Sequence, residues 1–298
     1  THTVPLRNQW AKEVKKVFGI EAGIIGSGRF ELDAPIVIGN TQTLYRNIDK
    51  IRKEFGTIIL DEMHHVSSPT FSKILDTNYC RYKIGLSGTI ERKDGKHVVF
   101  RDYFGSKLFQ PPKENYMTPT VHLVHSEIRF MDGAKIPWAN RVSALSNDEE
   151  YRHTIAMLAA AYAARGHKVL VVSDRVTFLK SCAELTGDKA VCVTGEVSHE
   201  DREVLVDEIL YGDANVLYGT QAIFSEGISV DTLSCLILAT PVNNEPLLTQ
   251  LVGRVIRKKE GKIDPVVVDI QLRGKTAQRQ ASNRVGFYMK QDWSIKYL

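Results

Sequence analysis

Asp61, Glu62 and His64 follow directly on the apolar run of residues 57–60. In an open parallel sheet, ligands gather at the carboxyl ends of the strands, so two acids at such an end suit nucleotide chemistry. Asp61 would hold a Mg²⁺ ion that bridges phosphates, and Glu62 would orient and deprotonate the attacking water. Alternatively, the acid pair only caps the turn that follows the strand. His64 and His65 could instead be metal ligands.

A second group of polar residues recurs at helical spacing. Gln250, Gly253, Arg254 and Arg257 stand at i, i+3, i+4 and i+7, which predicts one helix face carrying an amide and two guanidinium groups. Arginine offers planar, bidentate donors to phosphate, and one placed against a transferring phosphoryl group contributes roughly 10³ to 10⁵ in rate. A solvated basic helix end is the alternative, but it does not explain the glutamine and the glycine.

Alternating apolar and amphipathic segments would position both groups. The apolar runs are rich in Val, Ile and Leu, as expected for parallel strands buried on both faces, so the sequence predicts an α/β fold. The predicted strands are residues 22–25, 36–38, 57–60, 83–86, 169–172, 190–193, 215–218, 233–239 and 265–270. The predicted helices are residues 5–18, 43–54, 149–165, 177–185, 199–211 and 246–257.

The 298 residues are enough for two domains. The stretch 105–119 contains three prolines and few periodic apolar residues, so it is the predicted linker. We therefore predict a first domain over residues 1–110 and a second over residues 111–298. Both are expected to be α/β, the first of them incomplete at its N-terminus.

Composition excludes several classes of protein. Hydrophobic residues make up 43% and charged residues 25% of the chain, as in soluble globular proteins. The sequence has neither the roughly 18 consecutive apolar residues of a membrane span nor a leader peptide. Four scattered cysteines predict no zinc site and suit a reducing, cytoplasmic setting. The net charge of +4 is compatible with a polyanionic partner without requiring one.

Taken with their neighbours, these residues resemble the superfamily 2 helicases of the DExH kind. Residues 61–64 resemble motif II of that family, and residues 250–257 resemble motif VI. Five further segments follow in the family's order and resemble motifs Ia, Ib, III, IV and V: residues 3–10, 42–44, 87–89, 169–175 and 220–229. Residues 224–229 and 253–258 are most similar to phage branch-migration and fork-remodelling helicases of the UvsW type, and more distantly to XPB-like helicases.

This resemblance implies two tandem RecA-like domains with ATP bound in the cleft between them. Asp61 would coordinate Mg²⁺, Glu62 would act as general base, and His64 would couple nucleotide state to the grip on DNA. Further nucleotide contacts and coupling are implied for Ser87, Thr89, Gly227, Ser229, Gln250, Arg254 and Arg257, although many relatives carry an acid where this chain has Ser229. Contacts with the backbone of one nucleic-acid strand are implied for Thr3, Arg7, Gln42, Thr43, Arg175, Thr194, Gly195 and Thr220.

A phosphate-binding loop is missing from these residues. No Gly-x-x-x-x-Gly-Lys-Ser/Thr occurs, and the nearest candidate, residues 23–29, lacks the Lys-Ser/Thr ending and is predicted to be a turn between extended segments. The family places that loop before motif Ia, where this sequence starts. We therefore expect a longer polypeptide, and negligible ATP hydrolysis from these 298 residues alone.

The predicted function is that of an ATP-dependent DNA helicase or translocase acting on forked, branched or single-stranded DNA. The UvsW-like motifs imply recombination, repair or replication work for a bacteriophage, in the host cytoplasm. A restriction-type translocase or an RNA helicase is the alternative among enzymes. A non-catalytic nucleic-acid-binding remnant is the alternative of another class.

Two segments have open interpretations. Within residues 131–142, Trp138 and Arg141 either pack internally or stack on a base. The tail, residues 273–298, mixes basic and aromatic residues. It is predicted to be a docked C-terminal helix in preference to a DNA-facing extension.

Overall fold

Two α/β units make up the chain: Thr1–Gln110, called unit 1, and Pro111–Leu298, called unit 2. A computed structural model describes residues 1–63, 68–87, 98–110, 112–133, 135–221, 223 and 230–298. Among these described residues, no helix has both the length and the apolar character needed to cross a membrane.

Unit 1 begins with helix α1, Val4–Phe18, which starts at its N-cap Thr3 and stops at Gly19, where φ is 70°. A small sheet in the order β2-β1-β3 follows, with β1 and β3 parallel. Its strands are β1, Gly23–Gly26, β2, Arg29–Phe30, and β3, Val37–Gly39. The candidate loop at residues 23–29 is indeed a turn between extended segments: β1 and β2 form a hairpin through Ser27 and Gly28, with φ of 54° and 82°.

The second half of unit 1 centres on two parallel strands. The elements in order are α2, Thr41–Arg46, α3, Ile48–Ile51, β4, Thr57–Leu60, α4, Pro69–Thr77, β5, Tyr82–Gly85, and α5, Val98–Phe104. The single helix predicted over residues 43–54 is wrong, because Asn47 interrupts it and its side-chain amide donates to the Thr43 carbonyl at 2.9 Å. β4 and β5 pair in register from Thr57–Tyr82 to Leu60–Gly85, above a core that includes Phe71 and Leu75.

Unit 2 contains a seven-stranded parallel sheet, which confirms the predicted α/β class. Its strands are β6, Thr120–Arg129, β7, Val169–Ser173, β8, Ala190–Val193, β9, Val216–Thr220, β10, Cys235–Leu238, β11, Val266–Arg273, and β12, Ser294–Tyr297. They stand in the order β12-β6-β11-β10-β7-β9-β8, and every pairing between them is parallel. The sequence did not predict β6 and β12, which lie at one side of this order.

Helices cover both faces of the large sheet. They are α6, Trp138–Asn147, α7, Glu149–Ala164, α8, Val176–Thr186, α9, His199–Tyr211, α10, Glu245–Val255, and α11, Lys275–Lys290. The fully buried residues of β7 show the two cores: Val169 and Val171 join one hydrophobic cluster, and Leu170 and Val172 join the other. Such continuous burial requires the uninterrupted apolar runs from which these strands were predicted.

α10 ends two residues earlier than its spacing predicts. Its last residue is Val255, and beyond it Arg257 forms an antiparallel bridge with Tyr116. Two backbone bonds flank the bridge: Met117 N donates to the Ile256 carbonyl at 2.8 Å, and Lys258 N donates to the Asn115 carbonyl at 3.1 Å. Thus Arg257 lies off the helical face predicted to carry it, and the second half of the predicted linker is fixed against this segment.

The docked C-terminal helix predicted for the tail is confirmed as α11. Asp269 on β11 receives two hydrogen bonds from Arg284, at 2.8 and 2.7 Å, and one from the Tyr288 hydroxyl at 2.8 Å. The Asp269 and Arg284 side chains are 1% and 6% exposed. Burial alone would lower the pKa of Arg284, but the charge and hydrogen bonds of Asp269 outweigh it and raise that pKa. Trp293 stacks on Tyr288 from the following turn.

Replacement of Asp269 by alanine should lower the free energy of unfolding of unit 2 by about 3–5 kcal/mol, since it leaves the Arg284 charge buried without its partner. Urea denaturation followed by tryptophan fluorescence, to which Trp293 contributes, measures this loss. Glu196→Ala is the control, because it breaks the exposed Lys180–Glu196 pair and should leave stability unchanged. An Asp269→Ala variant as stable as this control would mean that the buried pair does not anchor α11.

Candidate functional site

The carboxylate of Asp61 is held from two sides at the end of β4. Its Oδ2 accepts a hydrogen bond from Trp10 Nε1 at 2.7 Å, and its Oδ1 accepts one from Glu62 N at 2.9 Å. Trp10 stands on α1 and packs against the small apolar cluster that contains Val14 and Ile24. Because each carboxylate oxygen has a second lone pair, this orientation still leaves acceptor capacity for a cation or a water.

Glu62 occupies a strained backbone conformation. Its φ is 54°, in the left-handed region that side chains other than glycine rarely adopt and that costs about 1–3 kcal/mol. Two backbone hydrogen bonds of 2.8 Å enforce it, from Met63 N to the Leu86 carbonyl and from Leu86 N to the Leu60 carbonyl. The turn that carries the acids is therefore tied to the segment that carries Ser87.

Gly85, the last residue of β5, makes this tie possible. A Cβ atom built there would overlap the side chain of Met63 and touch the ring of Phe104 at 3.0 Å. Since glycine has no Cβ, Met63 packs directly on the strand and brings the turn after β4 close to it. Asp61, Glu62 and Ser87 are all half-buried at this edge.

The donor chemistry of this edge suits Mg²⁺ better than a softer metal. Magnesium is usually held by one or two carboxylates together with phosphate and water oxygens, and Asp61 with Glu62 supplies such oxygens. Within the described part of the chain, no three His, Cys, Asp or Glu side chains are grouped as a metal site. The predicted site residues His64 and Thr89 lie outside the described residues.

The predicted polar face of α10 is present in part. Leu248, Leu251, Val252 and Val255 are buried, and the half-buried Gln250, Gly253 and Arg254 occupy the remaining side of the helix. Arg257, beyond the helix end, is half-buried, and its carbonyl accepts a hydrogen bond from Lys262 Nζ at 2.8 Å. The predicted nucleotide contacts Gly227 and Ser229 lie outside the described residues.

Burial and neighbouring charge change the pKa of a lysine in the segment after α10. Burial is the main cause that lowers the pKa of Lys262 to about 8, and the positive charges of Arg257 and Lys259 lower it further, against the opposing charge of Asp231.

The residues of unit 1 that were predicted to contact nucleic acid lie together, with one correction. Thr41 at the start of α2 donates from N and Oγ1 to the Thr1 carbonyl, at 2.9 and 2.7 Å, which places Thr3 near Gln42 and Thr43. Thr3 itself caps α1 by accepting a hydrogen bond from Leu6 N at 3.4 Å.

Arg7 is buried, contrary to a direct phosphate contact. It is 6% exposed, and its Nη1 donates to Ser27 Oγ at 3.1 Å and to Asn40 Oδ1 at 2.9 Å. A Cβ atom at Gly26 would collide with these same groups. Burial, and secondarily the charge of Arg29, lowers the pKa of Arg7. In this arrangement Arg7 holds the β1–β2 turn against the start of α2.

The four predicted nucleic-acid contacts of unit 2 follow the ends of β7, β9 and β8, which are neighbours in the sheet. Ser173 pairs with Thr220, and Val193 pairs with Gly219, so these strands end at one edge. Thr220 is half-buried and Gly195 is exposed there. Arg175 Nη2 donates to the Ala139 carbonyl at 3.1 Å.

Thr194 departs from the prediction because its side chain is inaccessible. It is fully buried, and its Oγ1 accepts a hydrogen bond from Glu196 N at 3.4 Å. The neighbouring Gly195 therefore offers the accessible group at the end of β8. A threonine after a buried strand can be a turn residue as readily as a ligand contact.

Two further features were not identified from the sequence. Trp10 belongs to the segment noted for motif Ia, yet no pattern linked it to Asp61, 51 residues further along the chain. A pocket of about 390 Å³ also opens beside Trp138 at the ends of β7 and β10. The only signal for it was an aromatic residue in a polar insert.

Comparison with known protein families assigns both units. Residues 1–92 match the family described as "Type III restriction enzyme, res subunit", and residues 151–259 match the family described as "Helicase conserved C-terminal domain". The first match contains the acid pair after β4, and the second contains the polar face of α10.

Two of the similar proteins come from bacteriophages. The chain is 45% identical over 291 residues to "Probable helicase D10" of Escherichia phage T5, covering 97% of this chain and 65% of that protein. It is 27% identical over 273 residues to "ATP-dependent DNA helicase uvsW" of Enterobacteria phage T4, covering 86% of this chain and 53% of that protein. The chain thus spans about half to two thirds of the length of these relatives.

A solved structure shows the same fold. The crystal structure of T4 UvsW aligns with 100% of this chain and 66% of its own, with a TM-score of 0.50 and 23% sequence identity. At this identity the alignment establishes the fold and no more.

Because Glu62 has a left-handed backbone conformation, we expect glycine to be more stable than alanine at this position, which reverses their usual order in a helix. Glu62→Gly should be about 1 kcal/mol more stable than Glu62→Ala, because glycine adopts a positive φ without the Cβ clash. Paired urea denaturation of the two variants measures the difference. The control pair is Glu13→Gly and Glu13→Ala on α1, where glycine should instead be less stable by about 1 kcal/mol. The same sign at both positions would contradict backbone strain at Glu62.

Proposed function

Because this chain belongs to the superfamily 2 helicases, as its resemblance to that family predicted, we propose that the polypeptide carrying it is an ATP-dependent DNA helicase or translocase. The observation that carries this proposal is the acid pair after β4, with Asp61 oriented by Trp10 and Glu62 held at a positive φ. A turn that served only to cap a strand would not need an oriented carboxylate followed by an acid with a strained backbone.

Each residue of the acid pair has a separate task in this proposal. Asp61, whose carboxylate is oriented by the Trp10 indole, would hold Mg²⁺. The cation would supply positive charge that offsets the charge developing on the phosphates of ATP. Glu62 orients the attacking water and accepts its proton, for which a position fixed by the backbone is an advantage.

Basic residues of unit 2 are the proposed ligands of the ATP phosphates. Arg254, on the half-buried face of α10, offers a planar guanidinium to the phosphates, with Gln250 one turn before it. Arg257 serves the same end from outside the helix, where the bridge to Tyr116 fixes its backbone. A guanidinium held in this way needs little reorganisation when charge develops in the transition state.

Nucleic acid would be held through its backbone, without sequence readout. In unit 1 the groups for this task are Thr3, Gln42 and Thr43, and in unit 2 they are Arg175, Gly195 and Thr220. The T4 relative is named as a DNA helicase, which favours DNA over RNA, and the UvsW-like residues 224–229 and 253–258 favour branched or forked DNA. We therefore place the protein in phage recombination, repair or replication.

Two other enzymes and one binding protein compete with this proposal. The match of residues 1–92 to a restriction-enzyme subunit favours a restriction-type translocase. Similarity to a mimivirus protein named as a putative ATP-dependent RNA helicase favours an RNA helicase. ATP hydrolysis by the full-length polypeptide should be stimulated most by forked DNA. Equal stimulation by linear duplex DNA would favour the translocase, and stimulation by RNA alone would favour the RNA helicase. A nucleic-acid-binding remnant would hydrolyse no ATP in any of these assays.

Glu62→Gln in the full-length polypeptide should reduce DNA-stimulated ATP hydrolysis by about 10² to 10⁴, because general base catalysis contributes that much. DNA affinity should stay unchanged, since Glu62 is proposed to act on the attacking water and not to hold the nucleic acid. Glu13→Gln, an exposed glutamate on α1, is the control and should keep full activity. Unchanged hydrolysis in Glu62→Gln would exclude Glu62 as the general base.

Trp10→Phe tests the orientation of Asp61. It keeps an aromatic ring in the cluster but removes the N–H donor, and a hydrogen bond to a charged group is worth about 1.5–3 kcal/mol. The Mg²⁺ concentration for half-maximal hydrolysis should therefore rise by about tenfold. Trp293→Phe in unit 2 makes the same exchange far along the chain and should leave Mg²⁺ dependence unaltered. If the two variants have the same Mg²⁺ dependence, Trp10 does not position a Mg²⁺ ligand.

A further inference from the structure

The pocket beside Trp138 has no part in the functions assigned above. It has a volume of about 390 Å³, within the range of small-molecule sites, and lies entirely in unit 2. It opens at the carboxyl ends of β7 and β10, the edge at which ligands of parallel sheets collect.

The lining of this pocket suits a flat, uncharged group with polar edges. Trp138, Val142 and Leu247 give it apolar walls, and the side-chain amides of Gln221 and Asn244 add donors and acceptors. The described residues of the lining include no lysine or arginine, and Asp174 contributes a carboxylate. A phosphate would be repelled there, whereas a nucleobase has both an apolar face and hydrogen-bonding edges.

Trp138 is held in place before any ligand arrives. It is the first residue of α6 and 39% exposed, and its ring packs on the buried ring of Phe130 at 5.3 Å between centroids. The start of α6 is tied to the end of β7 by the bond from Arg175 to the Ala139 carbonyl. An aromatic surface fixed in this way loses little conformational entropy when it binds.

Arg141, the other residue of the insert with two interpretations, packs internally. Its Nε donates to the Ile136 carbonyl at 3.0 Å, and its Nη1 donates to Thr276 Oγ1 at 3.2 Å. These bonds connect α6 to the start of α11 and stiffen the support of Trp138. The stacking role therefore falls to Trp138.

The pocket borders the groups proposed to hold the nucleic-acid backbone. Asp174 directly precedes Arg175, and Gln221 directly follows Thr220. A strand whose phosphates contact Arg175 and Thr220 would bring one of its bases to the mouth of the pocket.

We propose that this pocket takes one unpaired nucleobase of the bound strand, with the base face against Trp138 and its edge toward the amides. The proposal rests on the proposed function, because it needs a nucleic-acid strand at this edge of unit 2. Stacking on an aromatic ring accepts every base, so the site adds grip without sequence readout.

The test compares a strand that has bases with one that lacks them. The probes are an oligothymidylate of about 12 nucleotides and an abasic oligomer with the same number of phosphates. Trp138→Leu keeps an apolar side chain against Phe130 but removes the aromatic face. It should bind oligothymidylate about 5- to 100-fold more weakly than the unsubstituted protein and bind the abasic oligomer equally well.

Two further variants distinguish base stacking from a structural role of Trp138. Trp138→Phe retains an aromatic face and should restore most of the affinity for oligothymidylate, which a purely structural role of Trp138 does not explain. Tyr211→Leu, a change of an 84% exposed aromatic residue on α9, should bind both oligomers normally.

The remaining outcomes overturn the proposal in distinguishable ways. Equal affinity of the unsubstituted protein for both oligomers, or an equal loss for both in Trp138→Leu, would exclude a base in the pocket and leave the proposed function standing. Binding of neither oligomer by the unsubstituted protein would overturn the proposed function together with the pocket.

Discussion

Parallel strand register is the constraint on which both candidate sites depend. When strands run in the same direction, their carboxyl ends meet at one edge, so residues far apart in sequence become neighbours there. In unit 1, the pairing of Leu60 with Gly85 sets Asp61 and Glu62 beside Ser87. In unit 2, the pairing of Ser173 with Thr220 does the same for the groups that follow β7 and β9. A change of register in either sheet would therefore separate functional groups without altering any of them.

Strain at Glu62 persists because the surrounding bonds determine it. A residue other than glycine keeps a left-handed conformation only where its neighbours hold it there. Here the backbone of Met63 is hydrogen-bonded to Leu86, and the Met63 side chain fills the space left by Gly85. The energy stored there is small beside the packing of Leu60, Met63 and Phe71 in the adjacent core. Unit 1 thus uses part of its packing energy to hold the backbone of Glu62 in this conformation.

The fold was predictable where burial is uniform along an element. β7 and β10 are buried at every residue, so their sequences are continuous apolar runs, and both strands were found from the sequence. β6 alternates between buried and accessible positions and β12 is largely exposed, so neither has such a run. The end of α10 was mispredicted for a different reason. The local spacing predicts a helix to residue 257, but the pairing of Arg257 with Tyr116, a tertiary contact, ends it earlier.

The environments of the candidate site residues were predictable only in part. Asp61, Glu62 and Arg254 stand at accessible or half-buried positions, as their chemistry requires. Arg7 does not, because its guanidinium bonds Asn40, 33 residues away, and no local pattern reports so distant a partner. The contact between Trp10 and Asp61 escaped prediction for the same reason, since it joins α1 to the end of β4.

The burial of Arg7 and Thr194 changes how a strand would be held. With these two withdrawn, the proposed backbone contacts consist mainly of hydroxyl, amide and peptide groups, and Arg175 shares its guanidinium with the Ala139 carbonyl. Among the described groups proposed for these contacts, only Arg175 carries a charge, so counterion release from them would be modest. Stacking of a base on Trp138 releases no counterions and is indifferent to sequence. Contacts made of neutral hydrogen bonds and one stacked base would therefore accept any sequence and depend only weakly on salt.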